Sequence, residues 1–135
     1  MKIFQQELKL KTKQRVEIID ITESIDKVVK QSGIKNGLCF VNVLHATSCV
    51  IINENEQGLL KDIKAKIEEL FQGNYKHDQI DDNAKAHLVS AFIGQSCNYP
   101  IKDSHLVRGT WQNCLFLELD GPRERRIFLT IFGET

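Results

Sequence analysis

The chain has no excess of charge of either sign and no long apolar run. Its 135 residues include 18 Lys and Arg against 18 Asp and Glu, so the formal net charge is zero. This balance argues against a broad nucleic-acid surface, which needs a basic footprint. No apolar run approaches the ~18 residues needed to cross a bilayer, and the N-terminus lacks the apolar core of a signal peptide. We therefore expect a cytoplasmic protein without nucleic-acid or membrane partners.

Cysteine is sparse, and the four cysteines are far apart in the sequence. Cys39, Cys49, Cys97 and Cys114 form no C-x-x-C motif, which argues against a zinc ribbon or a redox dithiol motif. Three of them, Cys39, Cys49 and Cys114, lie within apolar runs. We predict that they are reduced core residues, with a catalytic thiol as the alternative.

Proline is also rare, and nothing resembles a linker. Only Pro100 and Pro122 occur, and there is no repeat or low-complexity tract. The length fits one domain over residues 1–135. With 41% hydrophobic and 27% charged residues, the composition is that of an ordinary globular domain with a core that needs no disulfides.

Hydrophobic periodicity divides the chain into strand-rich ends and a more helical middle. Apolar alternation or continuous β runs predict strands over residues 3–11, 15–21, 38–44, 48–53, 106–107, 111–119 and 126–132. Helical spacing predicts a helix from Thr22, as N-cap, to Gly33, one over Gln57–Phe71, and one over Asn83–Ile93 capped by Asp82. Most strands are consecutive, which favours an α+β fold with mainly antiparallel β-sheet layers and two to three helices. The turn signal Asp120-Gly121-Pro122 predicts that the last strand lies antiparallel to the one before it.

The first polar segment that interrupts the apolar pattern contains His45, Thr47 and Asn53. If the strand continued through it, these three side chains would share one face. An imidazole, a hydroxyl and an amide together suit binding of an anion or a metal-bound water. The alternative is a strand end whose polar groups are already satisfied.

The second polar segment surrounds two further histidines. His77 lies in the polar loop Asn74–Asp81. His87 follows Asn83 by four residues on the predicted helix, so Asn83 and His87 share a helix face. A loop histidine and a helix histidine are able to converge on one ion. Alternatively, both are structural or exposed.

The third polar segment lies around the last predicted turn. Glu118 shares a strand face with Cys114 and Phe116, so we expect it to point inward and to need an arginine or a metal as partner. Arg123 and Arg126 are able to bind phosphate through paired hydrogen bonds. The alternative is an ordinary charged hairpin turn.

Taken in order, these segments resemble the YjbQ family, described as secondary thiamine-phosphate synthase enzymes. The residues that carry the resemblance are His45-x-Thr47, Asn53-Glu54, Asp62, Tyr75-x-His77, Asn83-Ala84-x-Ala86-His87-Leu88, Gly94-x-Ser96, Pro100-Ile101, Gly109-Thr110-Trp111-Gln112, Glu118-x-Asp120-Gly121-Pro122-Arg123 and Arg126. The chain departs from the family pattern at Ala46 and Ser48, where one hydroxyl is lost and another gained, and at Ser104 and Arg108.

The resemblance implies a homotrimer with a histidine site near subunit boundaries. It also implies an enzyme that joins hydroxymethylpyrimidine pyrophosphate to a thiazole phosphate and releases pyrophosphate. We expect His45, His77 and His87 to be catalytic or to hold a divalent metal (Zn or Mg), with Glu118 as a further catalytic residue. The residues expected to bind the phosphorylated substrate are Thr47, Asn53, Asn83, Thr110, Gln112, Arg123 and Arg126.

Two other functions fit the same residues. Three histidines around zinc, with water in the open position, would suit a metal-dependent hydrolase of a phosphorylated or amide substrate. A non-catalytic ligand-binding trimer would use the same groups without turnover. Product analysis separates the first two, because coupling needs two organic substrates and hydrolysis needs one.

Overall fold

Eight strands form two antiparallel sheets, which confirms the α+β prediction. The structure, a computed structural model, describes all of residues 1–135. The strands are β1 (Lys2–Lys11), β2 (Glu17–Asp20), β3 (Asn36–Val43), β4 (Ser48–Asn53), β5 (Ser96–Lys102), β6 (His105–Leu106), β7 (Asn113–Glu118) and β8 (Glu124–Glu134). The five-stranded sheet has the order β1-β8-β3-β5-β6, and the three-stranded sheet has the order β2-β7-β4.

Three helices complete the fold: α1 (Thr22–Ser32), α2 (Gln57–Leu70) and α3 (Ala84–Ile93). A short 3-10 helix, Lys76–Gln79, lies within the segment predicted as a loop. None of the helices is long and apolar enough to cross a membrane.

The main core lies between the two sheets. It combines inward residues of β3, β8, β4 and β7 with the apolar stripe of α1, including Val41, Leu129 and Phe116. A second, smaller core lies on the other side of the three-stranded sheet, where Leu115 and Leu117 contact α2 and α3. The layers are therefore the five-stranded sheet, the main core, the three-stranded sheet, and α2 with α3.

The outer face of the five-stranded sheet is not covered by any helix. Alternation along β3 and β8 places Leu38, Phe40, Phe128 and Phe132 on this face, and the rings of Phe40 and Phe132 stack with centroids 5.8 Å apart. Ile3 on β1 is 65% exposed. This apolar surface is called the outer sheet face below.

One predicted pairing is wrong. The last strand, β8, does not pair with β7, which precedes it, but with β1 and β3 in the other sheet. The turn at Asp120–Pro122 carries the chain from one sheet to the other instead of closing a hairpin. Turn chemistry predicts a change of direction, but the partner of a strand is chosen by long-range packing.

Strand β5 was not predicted, and two helix caps differ from their predictions. Pro100 and the polar residues that alternate along Ser96–Lys102 hide the strand pattern of the inward residues Tyr99 and Ile101.

The caps of α1 and α3 also differ. Thr22 was predicted as the N-cap of α1, but Thr22 is the first residue of the helix and its N–H donates to the carboxylate of Asp20. Helix α3 is capped by the carboxylate of Asp78, which accepts the N–H of Ala84 at 2.9 Å, because Asp82 adopts a positive φ of 51°.

Candidate functional site

The centre of the candidate site is a buried ion pair between Glu118 and Arg125. Glu118 is the last residue of β7, and Arg125 is the second residue of β8. Arg125 Nε donates to Glu118 Oε1 at 2.8 Å, and Nη2 donates to Oε2. The side chains are 0% and 2% exposed. The prediction that Glu118 points inward toward an arginine is confirmed.

Glu118 has further donors that leave it saturated. Thr12 Oγ1 donates to Oε1 at 2.7 Å, and the N–H groups of Leu119 and Asp120 donate to Oε2. Burial alone raises the pKa of Glu118, but these hydrogen bonds and Arg125 outweigh it and hold the pKa below its ordinary value. A carboxylate whose two oxygens take five donors has no place for a substrate or a metal. Glu118 is therefore a positioning residue.

Gly121 allows this cluster to close. A Cβ at this position would lie 2.2 Å from the carbonyl oxygen of Gln14, 2.8 Å from Glu118 Cγ and 2.9 Å from Thr12 Oγ1. Only glycine fits at such a close approach. The turn signal seen in the sequence thus serves the packing of the buried ion pair.

Arg125 extends the network to the loop between β3 and β4. Its Nη2 donates to Thr47 Oγ1 at 2.9 Å and to the Thr47 carbonyl oxygen at 3.2 Å. Thr47 is itself buried. The hydroxyl predicted to bind substrate is therefore engaged with Arg125 in this chain.

His45 lies in the same loop, and its side chain reaches the start of β8. His45 Nε2 accepts the backbone N–H of Arg126 at 2.8 Å. Burial, followed by the charges of Arg125 and Arg126, lowers the pKa of His45 despite the opposing charge of Glu118. The neutral form has a single lone pair, which this hydrogen bond uses, so Nδ1 carries the proton. His45 is thus arranged to donate to a ligand through Nδ1–H rather than to bind a metal.

The two arginines predicted as anion clamps have different surroundings. Arg123 donates from Nε to the Asp120 carbonyl oxygen at 2.8 Å and from Nη2 to the Asp120 carboxylate at 3.0 Å. Arg126 makes only a 3.4 Å contact with Glu7, and its side chain is 52% exposed. Arg126 is therefore the freer cation.

Asn83 connects this end of the molecule to α3. Its Nδ2 donates to Asp120 Oδ2 at 2.9 Å, while its Oδ1 is buried without a partner. Burial raises the pKa of Asp120, but the hydrogen bonds from Asn83 and Arg123 lower it overall. Asn83 therefore orients Asp120 in this chain.

His77 and His87 form a separate pair. Their ring centroids are 4.6 Å apart with an interplanar angle of 77°. They line a cavity of about 480 Å³, together with Tyr75, Lys76 and Leu88. His77 Nε2 is buried and has no hydrogen-bond partner, which is unusual for a buried polar atom.

The three histidines do not form one cluster within this chain. No group of three or more His, Cys, Asp or Glu side chains lies close enough to hold a metal ion. His77 and His87 supply two imidazoles, whereas His45 belongs to the Arg125 network.

Three of the predicted substrate-binding residues lie at the opposite end of the three-stranded sheet. Asn53 pairs with Asn113 at one end of β4, whereas Ser48 pairs with Glu118 at the other. Five residue steps along a strand separate these ends by roughly 17 Å. Thr110 and Gln112 precede Asn113 and are exposed. The expected common face of His45, Thr47 and Asn53 does not form, because His45 and Thr47 lie in the loop before β4.

The interpretation of the sequence missed two residues of the site, Arg125 and Thr12. Arg125 alternates with Ile127, Leu129 and Ile131 on the inward face of β8. A charged residue in phase with an apolar face indicates a buried ion pair, so its signal was present. Thr12 gives no such signal, because only the tertiary fold brings it to Glu118.

Comparison with known proteins identifies close relatives over almost the whole chain. The family described as "UPF0047 protein YjbQ-like" matches residues 6–134. A UPF0047 protein of Methanothermobacter thermautotrophicus is 43% identical, with 99% of this chain and 95% of the relative covered. A UPF0047 protein of Archaeoglobus fulgidus is 46% identical, with 91% and 97% covered.

Solved structures agree with this sequence similarity. The crystal structure of a YbjQ-like protein of unknown function from Sulfolobus solfataricus superposes with a TM-score of 0.96 at 44% identity, covering 98% of this chain and 99% of that one. A hypothetical protein from Aeropyrum pernix gives 0.94 at 40% identity, covering 97% and 99%. The resemblance inferred from the motifs is thus confirmed, and the chain belongs to the YjbQ-like (UPF0047) family.

Proposed function

We propose that the protein is a small-molecule transferase of the thiamine-phosphate synthase type, whose anionic substrate binds beside His45 and Arg126. The observation that carries the proposal is the contrast between a saturated, buried ion pair and a half-exposed cation with one weak partner. Glu118 and Arg125 satisfy each other inside the chain, whereas the neighbouring Arg126 guanidinium is half exposed with one weak contact. Such a cation is available to a phosphate.

The roles of the residues follow from their contacts. Arg126 presents a forked set of donors to the phosphate or pyrophosphate group. His45, whose pKa is lowered, is neutral near pH 7 and offers Nδ1–H to the departing pyrophosphate oxygen. Glu118 and Arg125 hold the loop that contains Thr47 and His45 in position. The substrates would be hydroxymethylpyrimidine pyrophosphate and a thiazole phosphate.

We propose a divalent metal at the pair of His77 and His87. The unpartnered Nε2 of His77 beside the His87 ring fits a Zn²⁺ ligand pair. When bound, the metal would neutralise charge on a phosphate group. Two ligands are too few for a closed site, so other donors must come from substrate, water or a neighbouring copy.

We further propose a homotrimer. The outer sheet face carries Phe40, Phe128 and Phe132 without a covering helix, and contiguous exposed apolar surface favours association. Zero net charge does not oppose it. A neighbouring copy would also explain the separated site residues, because Asn53, Thr110 and Gln112 cannot reach His45 within one chain.

A metal-dependent hydrolase is the second candidate. The specific observation in its favour is again the buried, unpartnered Nε2 of His77. A metal held there with an open position would activate water against one phosphorylated substrate. This candidate places the chemistry at His77 and His87 and assigns no essential role to Arg126.

One assay with paired variants separates these functions. Purified protein is incubated with both thiamine precursors or with either one alone, and thiamine phosphate, pyrophosphate and inorganic phosphate are measured. Coupling that needs both precursors and falls at least tenfold in Arg126→Ala, but not in the remote exposed control Lys102→Ala, supports the transferase. Release of phosphate from a single precursor, lost in His77→Ala and kept in Arg126→Ala, supports the hydrolase instead. No turnover of any precursor would reject both.

A further inference from the structure

We propose that Cys97 and Cys114 form a reversible disulfide that joins the two sheets, which makes them an oxidation site independent of the proposed function. Their Sγ atoms lie 3.7 Å apart, and both thiols are free in the structure. A disulfide needs a sulfur separation of about 2.05 Å, so the two atoms must approach by roughly 1.7 Å. The movement that the proposal requires is rotation of the two side chains about their Cα–Cβ bonds.

The two cysteines belong to different sheets. Cys97 lies on β5 of the five-stranded sheet, and Cys114 lies on β7 of the three-stranded sheet. Both side chains point into the main core between the sheets. Their bond would therefore be a covalent link across the core rather than a link within one sheet.

The surroundings of the two thiols give them different roles. Cys114 is fully buried, whereas Cys97 is only half-buried, so an oxidant reaches Cys97 first. The hydrogen bond between the two sulfurs, in which either thiol is able to donate, lowers the pKa of Cys97, and that same bond with burial raises the pKa of Cys114. The accessible sulfur is thus the better nucleophile, and the buried sulfur is the resolving partner.

The chemistry balances with a hydroperoxide as the oxidant. The Cys97 thiolate attacks one oxygen of hydrogen peroxide, breaks the O–O bond, and becomes a sulfenic acid while hydroxide leaves and is protonated to water. The sulfur of Cys114 then attacks the sulfenic sulfur, loses its proton and expels the second water. Two thiols are oxidised, and one peroxide is reduced to two waters.

The link would close a loop that contains candidate substrate-binding residues. Thr110 and Gln112 lie between the two cysteines, and Tyr99 Oη donates to the Gln112 carbonyl oxygen at 3.3 Å. Closing this segment restricts the unfolded chain more than the folded one. Oxidation would therefore stabilise the protein and fix the end of the sheet that carries these residues.

Cys39 is the competing partner for Cys97. It lies near enough for its charge to act on Cys114, and Cys97 in turn affects its ionisation. Burial and the neighbouring Cys97 raise the pKa of Cys39 to about 12. Cys39 shares a sheet with Cys97, so a bond between them would not join the sheets.

The test is oxidation of the full chain. Reduced protein is treated with a small excess of hydrogen peroxide, and its thiols are counted after denaturation, together with the intact mass and a non-reduced peptide map. We expect the four thiols to fall to two, the mass to drop by about 2 Da, the map to link residues 97 and 114, and dithiothreitol to reverse all three changes. The melting temperature of the oxidised form should rise by roughly 5 °C or more.

Variants assign the partners. Cys97→Ser and Cys114→Ala should each abolish the mass loss, whereas the control Cys49→Ala, altered in the other core, should retain it. Cys39→Ala should also retain it. If the buried variant Cys114→Ala fails to fold, the peptide map and Cys97→Ser still decide. Four unreacted thiols, oxygen addition at Cys97 without mass loss, or a link between residues 39 and 97 would each overturn the proposal.

Discussion

The carboxylate of Glu118 and the guanidinium of Arg125 face each other through two hydrogen bonds in the interior of the chain, with 0% and 2% of their side chains exposed. This pair joins the end of β7 in the three-stranded sheet to the start of β8 in the five-stranded sheet. It therefore holds together the loops that carry Thr12, Thr47 and His45.

Breaking this pair should destabilise the fold severely. Arg125→Leu leaves the Glu118 carboxylate buried without its cation, and such a change costs about 3–5 kcal/mol. Urea denaturation measures it as a lower midpoint with an unchanged slope. The matched control is Glu69→Gln, which breaks an exposed pair with Lys66 and should cost less than ~1 kcal/mol. Equal effects of the two changes would contradict the assigned role of the buried pair.

The same pair makes stability sensitive to acid. The pKa of Glu118 is below its ordinary value in the folded chain, so the unfolded chain binds a proton more readily. Stability from this group is present above about pH 4.3 and is lost as the pH falls further through the folded-state pKa. Urea midpoints between pH 6 and 3 should fall less steeply in Glu118→Gln than in the wild type.

His45 should add a second, milder pH dependence. Its pKa is lowered in the folded chain, so below about pH 6.5 the unfolded chain binds the proton first and the wild type loses stability. Above that pH the contribution is complete. Comparing urea midpoints at pH 7.5 and 5.5, we expect a smaller difference in His45→Gln than in the wild type. An identical difference would mean that the bond from the Arg126 N–H does not depend on the protonation of His45.

Arg126 and Arg123 should respond differently to substitution. We expect Arg126→Ala to weaken pyrophosphate binding by roughly 5- to 150-fold, the loss of a charge-assisted hydrogen bond of ~1–3 kcal/mol, with stability unchanged. Arg126→Lys should weaken binding nearly as much, because the fork is lost. Arg123→Ala should instead lower stability, since Arg123 pairs with Asp120. Calorimetric titration of the folded variants measures both, and unaltered affinity in Arg126→Ala would exclude the clamp.

Assembly and its surface are tested by two matched substitutions. Light scattering of the wild type should give three chain masses. Ile3, on the outer sheet face, and Leu70, on α2, are 65% and 67% exposed, so Lys at either position should not disturb the monomer. We expect Ile3→Lys to weaken the trimer and Leu70→Lys to leave it intact. The reverse result would place the contact on α2, and a wild-type monomer would reject the trimer.

The sequence by itself determined the type of each element that it predicted, and the family. Strand β4 has the predicted bounds, and the helix predicted from Gln57 differs from α2 by one residue, because regular apolar spacing is a local property. It also placed Glu118 inside, since alternation along β7 assigns each side chain to a face. The ordered motifs from His45 to Arg126 were sufficient to identify the YjbQ-like family.

Only the tertiary structure decided which of these residues meet. It placed His45 beside Arg125 and Arg126, paired His77 with His87, moved Asn53 to the far end of the sheet, and gave Glu118 its partner Arg125. It also placed β8 in the other sheet from β7 and brought Cys97 within 3.7 Å of Cys114. Contacts between residues distant in sequence depend on how the sheets pack across the core, and neither periodicity nor turn chemistry carries that information.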